Sequence, residues 1–266
     1  MPRPRKRYFF NRLFYIHFIL GLLLGSEKET PEILSTSLLF SGIEFEVLKN
    51  GESNKHYIWI HGDEKTANMA IKYHLNQYEG TAFLIKSEER EVVYYNTKID
   101  PNRIFSRSGS FRTLTKFKLE WAPGTLKKAL DELDQKREQF LAILFPDSGG
   151  VLIAVHNNFR GYNLRSELEN YTKVSINPIE NPRDFIICTD SDDFDTLSKG
   201  VHYNVILQDQ LPEEDDGSLS WASLRNGVRY VNIEARLGWL SHQKKMLKLF
   251  LFVQALFYPM VELPQI

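Results

Sequence analysis

Three apolar runs in this chain each stop on a polar side chain suited to chemistry. Tyr57-Ile58-Trp59-Ile60 stops on His61, Val151-Leu152-Ile153-Ala154-Val155 on His156, and Val231-Asn232-Ile233 on Glu234. Short apolar runs bounded by polar residues read as buried strands, and a polar residue closing each one marks the carboxyl edge of a sheet. In open α/β sheets that edge is where ligands and chemistry collect. The first run continues as Gly62-Asp63-Glu64, so two imidazoles and a carboxylate are available at one edge. Such a set leaves a fourth zinc position open for water, the pattern of a catalytic rather than a structural metal site.

The rest of the chain supplies a sheet and its cover. Ile43 to Leu48 alternates with the period of a half-buried strand, and Lys49-Asn50-Gly51 reads as a hairpin-type turn. Further strands are expected at Gly80 to Ile85, Val92 to Tyr95, Phe185 to Cys188 and Val205 to Leu207. Helical patterns begin near Asp63, at Thr125 with Leu126, Leu130, Leu133, Leu141 and Leu144 on one face, and at about Leu240. Strands alternating with helices predict an α/β fold with a mixed, mostly parallel central sheet and helices on both faces.

At 266 residues, one catalytic domain with a large core is the default. Lys plus Arg number 33 against 34 Asp plus Glu, so the near-zero net charge gives no general attraction to nucleic acid. The single cysteine, Cys188, excludes an internal disulfide or a cysteine metal cluster and reads as a core residue. At the N-terminus, Arg3, Arg5, Lys6, Arg7 and Arg12 precede the apolar stretch Phe14 to Leu24, and Glu27-Lys28-Glu29 follows. That pattern has signal-peptide length. Residues 1–25 are therefore expected to be a signal peptide or an N-terminal membrane anchor, with attachment through residues 14–24, and residues 26–266 the catalytic domain. The expected location is outside the cytoplasm, periplasmic or extracellular.

Several stretches read as scaffold. Asp190-Ser191-Asp192-Asp193-Phe194-Asp195 lacks the glycine and distal glutamate of an EF-hand loop, and Glu213-Glu214-Asp215-Asp216-Gly217 has the composition of a solvated turn, so both read as surface loops. Ser148-Gly149-Gly150 and Ser108-Gly109-Ser110 read as turns. The run from Met246 to Val261 is interrupted by Lys248, Gln254 and Pro259 and reads as a core-packed helix. No nucleophile elbow, P-loop or dinucleotide glycine pattern occurs.

Four segments together carry a resemblance: Ile60-His61-Gly62-Asp63-Glu64, Asp100-Pro101-Asn102-Arg103-Ile104-Phe105, Ala154-Val155-His156-Asn157-Asn158 and Val231-Asn232-Ile233-Glu234-Ala235. In kind and order they resemble the zinc carboxypeptidases of the M14 clan, with their aspartoacylase and succinylglutamate desuccinylase relatives, over roughly residues 40 to 257. The resemblance implies one Zn2+ held by His61, Glu64 and His156, with Glu234 as general base. It implies that Asn102 and Arg103 hold a substrate carboxylate, for which a guanidinium fork is well matched. The family's further arginine, which polarises the scissile carbonyl, has no match at Tyr95, Asn96, Thr97 or Lys98. Arg107 is the assignment made here, with Arg112 or Lys98 as substitutes. For the family's mobile tyrosine over the substrate, Tyr203 is the candidate.

The implied activity is cleavage of an amide bond next to a free carboxylate in a peptide. An aspartoacylase-like deacylation of N-acyl amino acids is the second reading. A third, motivated by the unmatched arginine, is an inactive metal-containing module that binds carboxylate-ended peptides. Two competing structural roles also stand: Glu234 paired with Arg236 or Arg225, and Arg103 paired with Asp100. Side-chain preference and oligomeric state are not specified by any of these motifs.

Overall fold

The computed structural model describes residues 32–159, 161–167, 171–200 and 202–257. Residues 1–25, read above as signal peptide or anchor, lie outside them. The strands are β1 (Leu34–Phe40), β2 (Ile43–Asn50), β3 (Lys55–Trp59), β4 (Gly80–Ile85), β5 (Val92–Tyr94), β6 (Thr97–Ile99), β7 (Val151–Asn158), β8 (Lys173–Ser175), β9 (Phe185–Cys188), β10 (Asn204–Leu207) and β11 (Tyr230–Arg236). The helices are α1 (Lys65–Leu75), α2 (Arg107–Phe117), α3 (Thr125–Leu144), α4 (Ser191–Gly200), α5 (Leu219–Arg225) and α6 (Leu240–Phe257). None of the described helices is long and apolar enough to cross a membrane.

The fold is mixed α/β. Nine strands form one sheet in the order β1-β2-β4-β3-β7-β11-β9-β10-β8, and β5 and β6 form a separate pair. The middle strands β4, β3, β7 and β11 run parallel, and antiparallel strands flank them on both sides. Parallel neighbours on both sides explain why β7 is buried along its whole length and why its sequence is an unbroken apolar run up to His156. Helices cover both faces. On β3, His56 donates through Nδ1 to Leu144 O of α3 at 2.7 Å, while the next residue, Tyr57, packs on His74 of α1. Successive residues of a strand point to opposite faces, so α3 and α1 lie on opposite sides. Phe140 of α3 stacks on Phe40 with ring centroids 4.7 Å apart, and α1 packs against α6 on the other side. Met246, Leu247 and Phe250 of α6 are buried, as is Cys188.

Three local expectations are corrected, and one strand carries no pattern in the sequence. Lys49-Asn50-Gly51 does not close a hairpin: β2 pairs with β4, which lies between β2 and β3 in the sheet. Ser108-Gly109-Ser110 is the first turn of α2, with Ser106 at the N-cap accepting from Gly109 N at 3.1 Å. The glycine is there for contact, since a Cβ on Gly109 would lie 2.4 Å from Gly217 Cα. The run from Asp190 is a helix start rather than a surface loop: Asp190 Oδ1 accepts from Asp192 N and Asp193 N at 3.0 Å, opening α4. Asp193 is fully buried and pairs with Arg229. Finally, the edge strand β1 carries no apolar alternation because most of its side chains are exposed.

One buried group ties this packing to pH. His74 of α1 lies between Tyr57 and Tyr78, with ring centroids 5.3 and 4.6 Å away, and its Nε2 has no hydrogen-bond partner among the described residues. Burial, reinforced by the charge of Lys55, holds its pKa down at about 4. Below about pH 6.5 the unfolded chain protonates this imidazole while the folded chain resists. Its contribution is thus present above that pH and is lost as pH falls through about 4. The amount is on the order of 3 kcal/mol for a shift of this size. A His74→Phe variant should lose much less stability than the parent between pH 7.5 and pH 4, measured as urea unfolding midpoints; parallel losses in the two proteins would remove His74 from the account.

Candidate metal centre

The turn after β3 is shaped by Gly62. Its N–H donates to Glu89 O at 3.0 Å, and a Cβ there would lie 2.3 Å from Ser87 O and 2.6 Å from Glu89 O. No other residue fits so close to that backbone. The chain then enters α1 at Lys65, with Glu64 at the N-cap position. His61 and Glu64 thereby sit on one tight turn at the carboxyl end of β3. The parallel neighbour β7 brings His156 to the same edge, and the register of β11 against β7 places Glu234 directly beside His156.

His61, Glu64 and His156 converge, with one candidate ligand atom from each within 4.8 Å of the others. His61 Nδ1 donates to Glu64 Oε1 at 2.9 Å, and His156 Nδ1 donates to Glu64 Oε2 at 2.9 Å. All three are buried. Two imidazole nitrogens and a carboxylate oxygen are a donor set that zinc accepts, and the fourth side is open to the cavity. The arrangement around them fits an ion as well. Asp100 Oδ1 lies 3.0 Å from the other ring nitrogen, Nε2; a bond donated there would leave Nδ1 as the nitrogen facing an ion, the way metal-binding histidines are commonly held. Asn157 N donates to Glu64 Oε2 at 3.0 Å, and Arg90 Nη1 to Oε1 at 2.9 Å. Burial resists charge on His61, but Glu64 and Asp100 outweigh it and raise its pKa to about 9. Burial likewise resists ionisation of Glu64, and His156 with His61 overcomes it, holding the carboxyl well below the usual range. The cluster is thus electrostatically built around a negative Glu64 and a positive centre beside it.

Glu234 is 6% exposed, and no Lys or Arg ion pair to it occurs among the described residues. Its carboxylate accepts from Asn232 Nδ2 at 3.2 Å and Asn158 Nδ2 at 3.5 Å. The pairing roles weighed for it are filled elsewhere, since Arg236 binds Asp184 and Arg225 binds Asp215. Burial raises the pKa of Glu234, which makes this carboxylate a better proton acceptor than an exposed one. It opens into the same cavity as the triad, about 400 Å³ in volume.

Asn102 and Arg103 also line that cavity, on the short 3-10 turn Pro101–Arg103. Asn102 Oδ1 is taken by Leu219 N at 3.0 Å, which leaves its amide N–H groups for other partners. Arg103 does not pair with Asp100: its Nη1 donates to Asn102 O at 2.8 Å and its Nη2 lies 3.5 Å from Asp216 Oδ2. Arg107 is elsewhere, on α2, where Asp131 and Asp134 of α3 hold it. Arg112 is engaged by Asp215 and Glu214, and neither it nor Lys98 lines the cavity. Tyr203 packs edge-on against His242 with ring centroids 5.3 Å apart and does not line the cavity either. Besides Arg103, Arg90 lines the cavity, from the loop between β4 and β5. Its signal in sequence is weak, one cation in the charged run Glu88-Glu89-Arg90-Glu91.

Because Asp100 orients His61 from behind, its loss should loosen the ligand set without removing a ligand. Asp100→Ala is expected to lower zinc affinity by about 10- to 100-fold, the usual effect of deleting such a partner. Competition against a chromophoric chelator measures this, and an unchanged affinity would separate Asp100 from the centre.

No family model matches the chain, and no curated protein matches it. Among solved structures it is similar to a candidate metallopeptidase of Shewanella baltica OS155, at 15% identity over 88% of this chain and 91% of that one, with a TM-score of 0.42. Another candidate metallopeptidase, from Shewanella denitrificans OS217, is 12% identical over 91% of this chain and 88% of that one, with a TM-score of 0.44. The LapA aminopeptidase of Legionella pneumophila is 10% identical, with 91% of this chain and 62% of that one covered and a TM-score of 0.40.

Proposed function

We propose that this chain is a zinc-dependent hydrolase of the metallocarboxypeptidase type, cleaving an amide bond next to a free carboxylate in a peptide. The observation that carries the reading is the convergence of His61, Glu64 and His156 with a buried Glu234 on one cavity. His61, Glu64 and His156 would hold the metal. When bound, zinc supplies Lewis-acid chemistry, acidifying a water molecule and polarising a carbonyl. Glu234 takes the proton released at its carboxylate and passes it to the departing amine nitrogen, work for which a carboxylate of raised proton affinity is suited. Arg103, with the amide of Asn102, presents donors on the same cavity for the terminal carboxylate of the substrate. Arg90 brings a fixed positive charge to the cavity wall, where a carbonyl oxygen gaining negative charge would be stabilised. Arg90 would take the place of the unmatched arginine, which favours an active enzyme over the inactive module.

Two substitutions test the assignments separately. Glu234→Gln should lower kcat by about 10² to 10⁴-fold, the range for loss of an acid-base group, with one zinc still bound by elemental analysis. A fully active variant would end the general-base role. Arg103→Ala should raise KM for free-ended peptides and narrow the preference for free over amidated ends, with a smaller effect on kcat. Hydrolysis confined to N-acyl amino acids would select the deacylase reading instead.

A further inference from the structure

We propose that Gln208 and Asn232 form a recognition subsite on the floor of this cavity, selecting substrates whose side chain is neutral and carries both a hydrogen-bond donor and an acceptor. A carboxamide or a hydroxyl is such a group. The proposal deepens the hydrolase reading, and rests on it only for what is cleaved.

The sheet register builds the floor. In β9, Ile187 lies opposite Asn232 of β11, and Gln208 follows β10 with its N–H on Cys188 O at 2.8 Å. Tyr230, Asn232 and Glu234 alternate along β11 and therefore share a face. All five residues line the cavity. Gln208 is 2% exposed and Asn232 8%. Yet Gln208 Nε2 and Asn232 Oδ1 have no hydrogen-bond partner among the described residues. Asn232 is not free to turn its carbonyl away, because its Nδ2 is committed to Glu234 Oε1 at 3.2 Å.

One donor without an acceptor and one acceptor without a donor thus belong to residues that line the cavity, in company with Ile187, Trp221 and Tyr230. Buried polar atoms are nearly always paired, and a ligand is one source of the partner. The pair defines the chemistry. A carboxylate side chain offers no proton to Asn232 Oδ1 and meets the charge of Glu234. An ammonium offers no lone pair to Gln208 Nε2. An apolar side chain satisfies neither atom, and sites built around buried polar groups reject such analogues strongly.

The test uses the full chain loaded with zinc and a series of N-acylated dipeptides with free carboxyl ends, differing only in a terminal Gln, Met, Glu or Lys. Hydrolysis gives kcat/KM, and calorimetry with the uncleavable methylene analogues gives affinity. Glutamine should exceed the near-isosteric methionine, and both charged members, by about tenfold or more. In Gln208→Met the preference for glutamine over methionine should vanish. That variant, which loses an unpartnered donor, should also melt no lower than the parent. Gln208→Glu should shift the preference toward lysine. Methionine bound and cleaved as well as glutamine, or a glutamine preference that survives Gln208→Met, overturns the subsite while leaving the hydrolase reading in place. Selective binding without hydrolysis supports the subsite and overturns the hydrolase reading. No binding of any member overturns the subsite as well.

Discussion

Placing the Glu64 carboxylate under the surface is the constraint around which the rest of the site is arranged. An ion of this size costs several kcal/mol to bury even after the protein has relaxed around it, and the cost is offset only when its lone pairs are filled. Both oxygens are filled twice: Oε1 by His61 and Arg90, Oε2 by His156 and the backbone of Asn157. The four donors come from the turn after β3, the loop between β4 and β5, and the end of β7, so one carboxylate fixes the mutual position of three chain segments. An isolated anion would also shift its pKa and neutralise. Here the opposite happens, because two imidazoles face it.

That use of Glu64 creates a vacancy that the fold fills from far away. A residue at the N-cap position commonly turns its side chain back on the first backbone N–H groups of the helix. Glu64 makes no such bond. Asn157 does the work instead, accepting from Ala67 N through Oδ1 at 2.7 Å. Its amide nitrogen donates to Gln243 Oε1 at 2.8 Å, and Gln243 Nε2 donates to His156 O at 2.8 Å. The start of α1, the end of β7 and α6 are thereby tied into one buried network. Fully satisfied polar networks of this kind hold a single geometry, which is what a metal-binding constellation needs from its surroundings.

These dependencies explain what could be read in the sequence. His61, His156 and Glu234 were legible because the central parallel strands are largely apolar and each of the three follows such a run. Glu64 followed from its spacing to His61. The strand at Gly80–Ile85 was legible as a short apolar run, and the helix starting at Thr125 from the spacing of its leucines. Contacts between distant segments were not. Asp193 looks like one more acid in a solvated run until Arg229, across the fold, buries it. Ser108-Gly109-Ser110 has turn composition, but its glycine is there to meet Gly217. Arg107 is the arginine the sequence points to, and the placement of α3 beside α2 commits it to Asp131 and Asp134 instead. Gln208 carries no motif at all; its place follows from strand order.

The same reasoning applies to the charge state of Glu234. Arg236 lies two residues further along β11 and so points to the same face, which makes it the nearest counter-charge the sequence offers. A guanidinium on Glu234 would hold the carboxyl ionised and weaken it as a base. Asp184 prevents this. It is fully buried, takes Arg236 N at 2.8 Å through Oδ1, and takes Nε and Nη2 at 2.9 and 2.7 Å through Oδ2. Arg183 is spent on Asn158, donating to its Oδ1 at 3.0 Å and its backbone oxygen at 2.7 Å. Asn158 in turn offers Glu234 only a neutral amide. The basicity of Glu234 therefore depends on where its neighbours' charges are directed as much as on its own burial. Arg236 and Arg183 are instead held by Asp184 and Asn158.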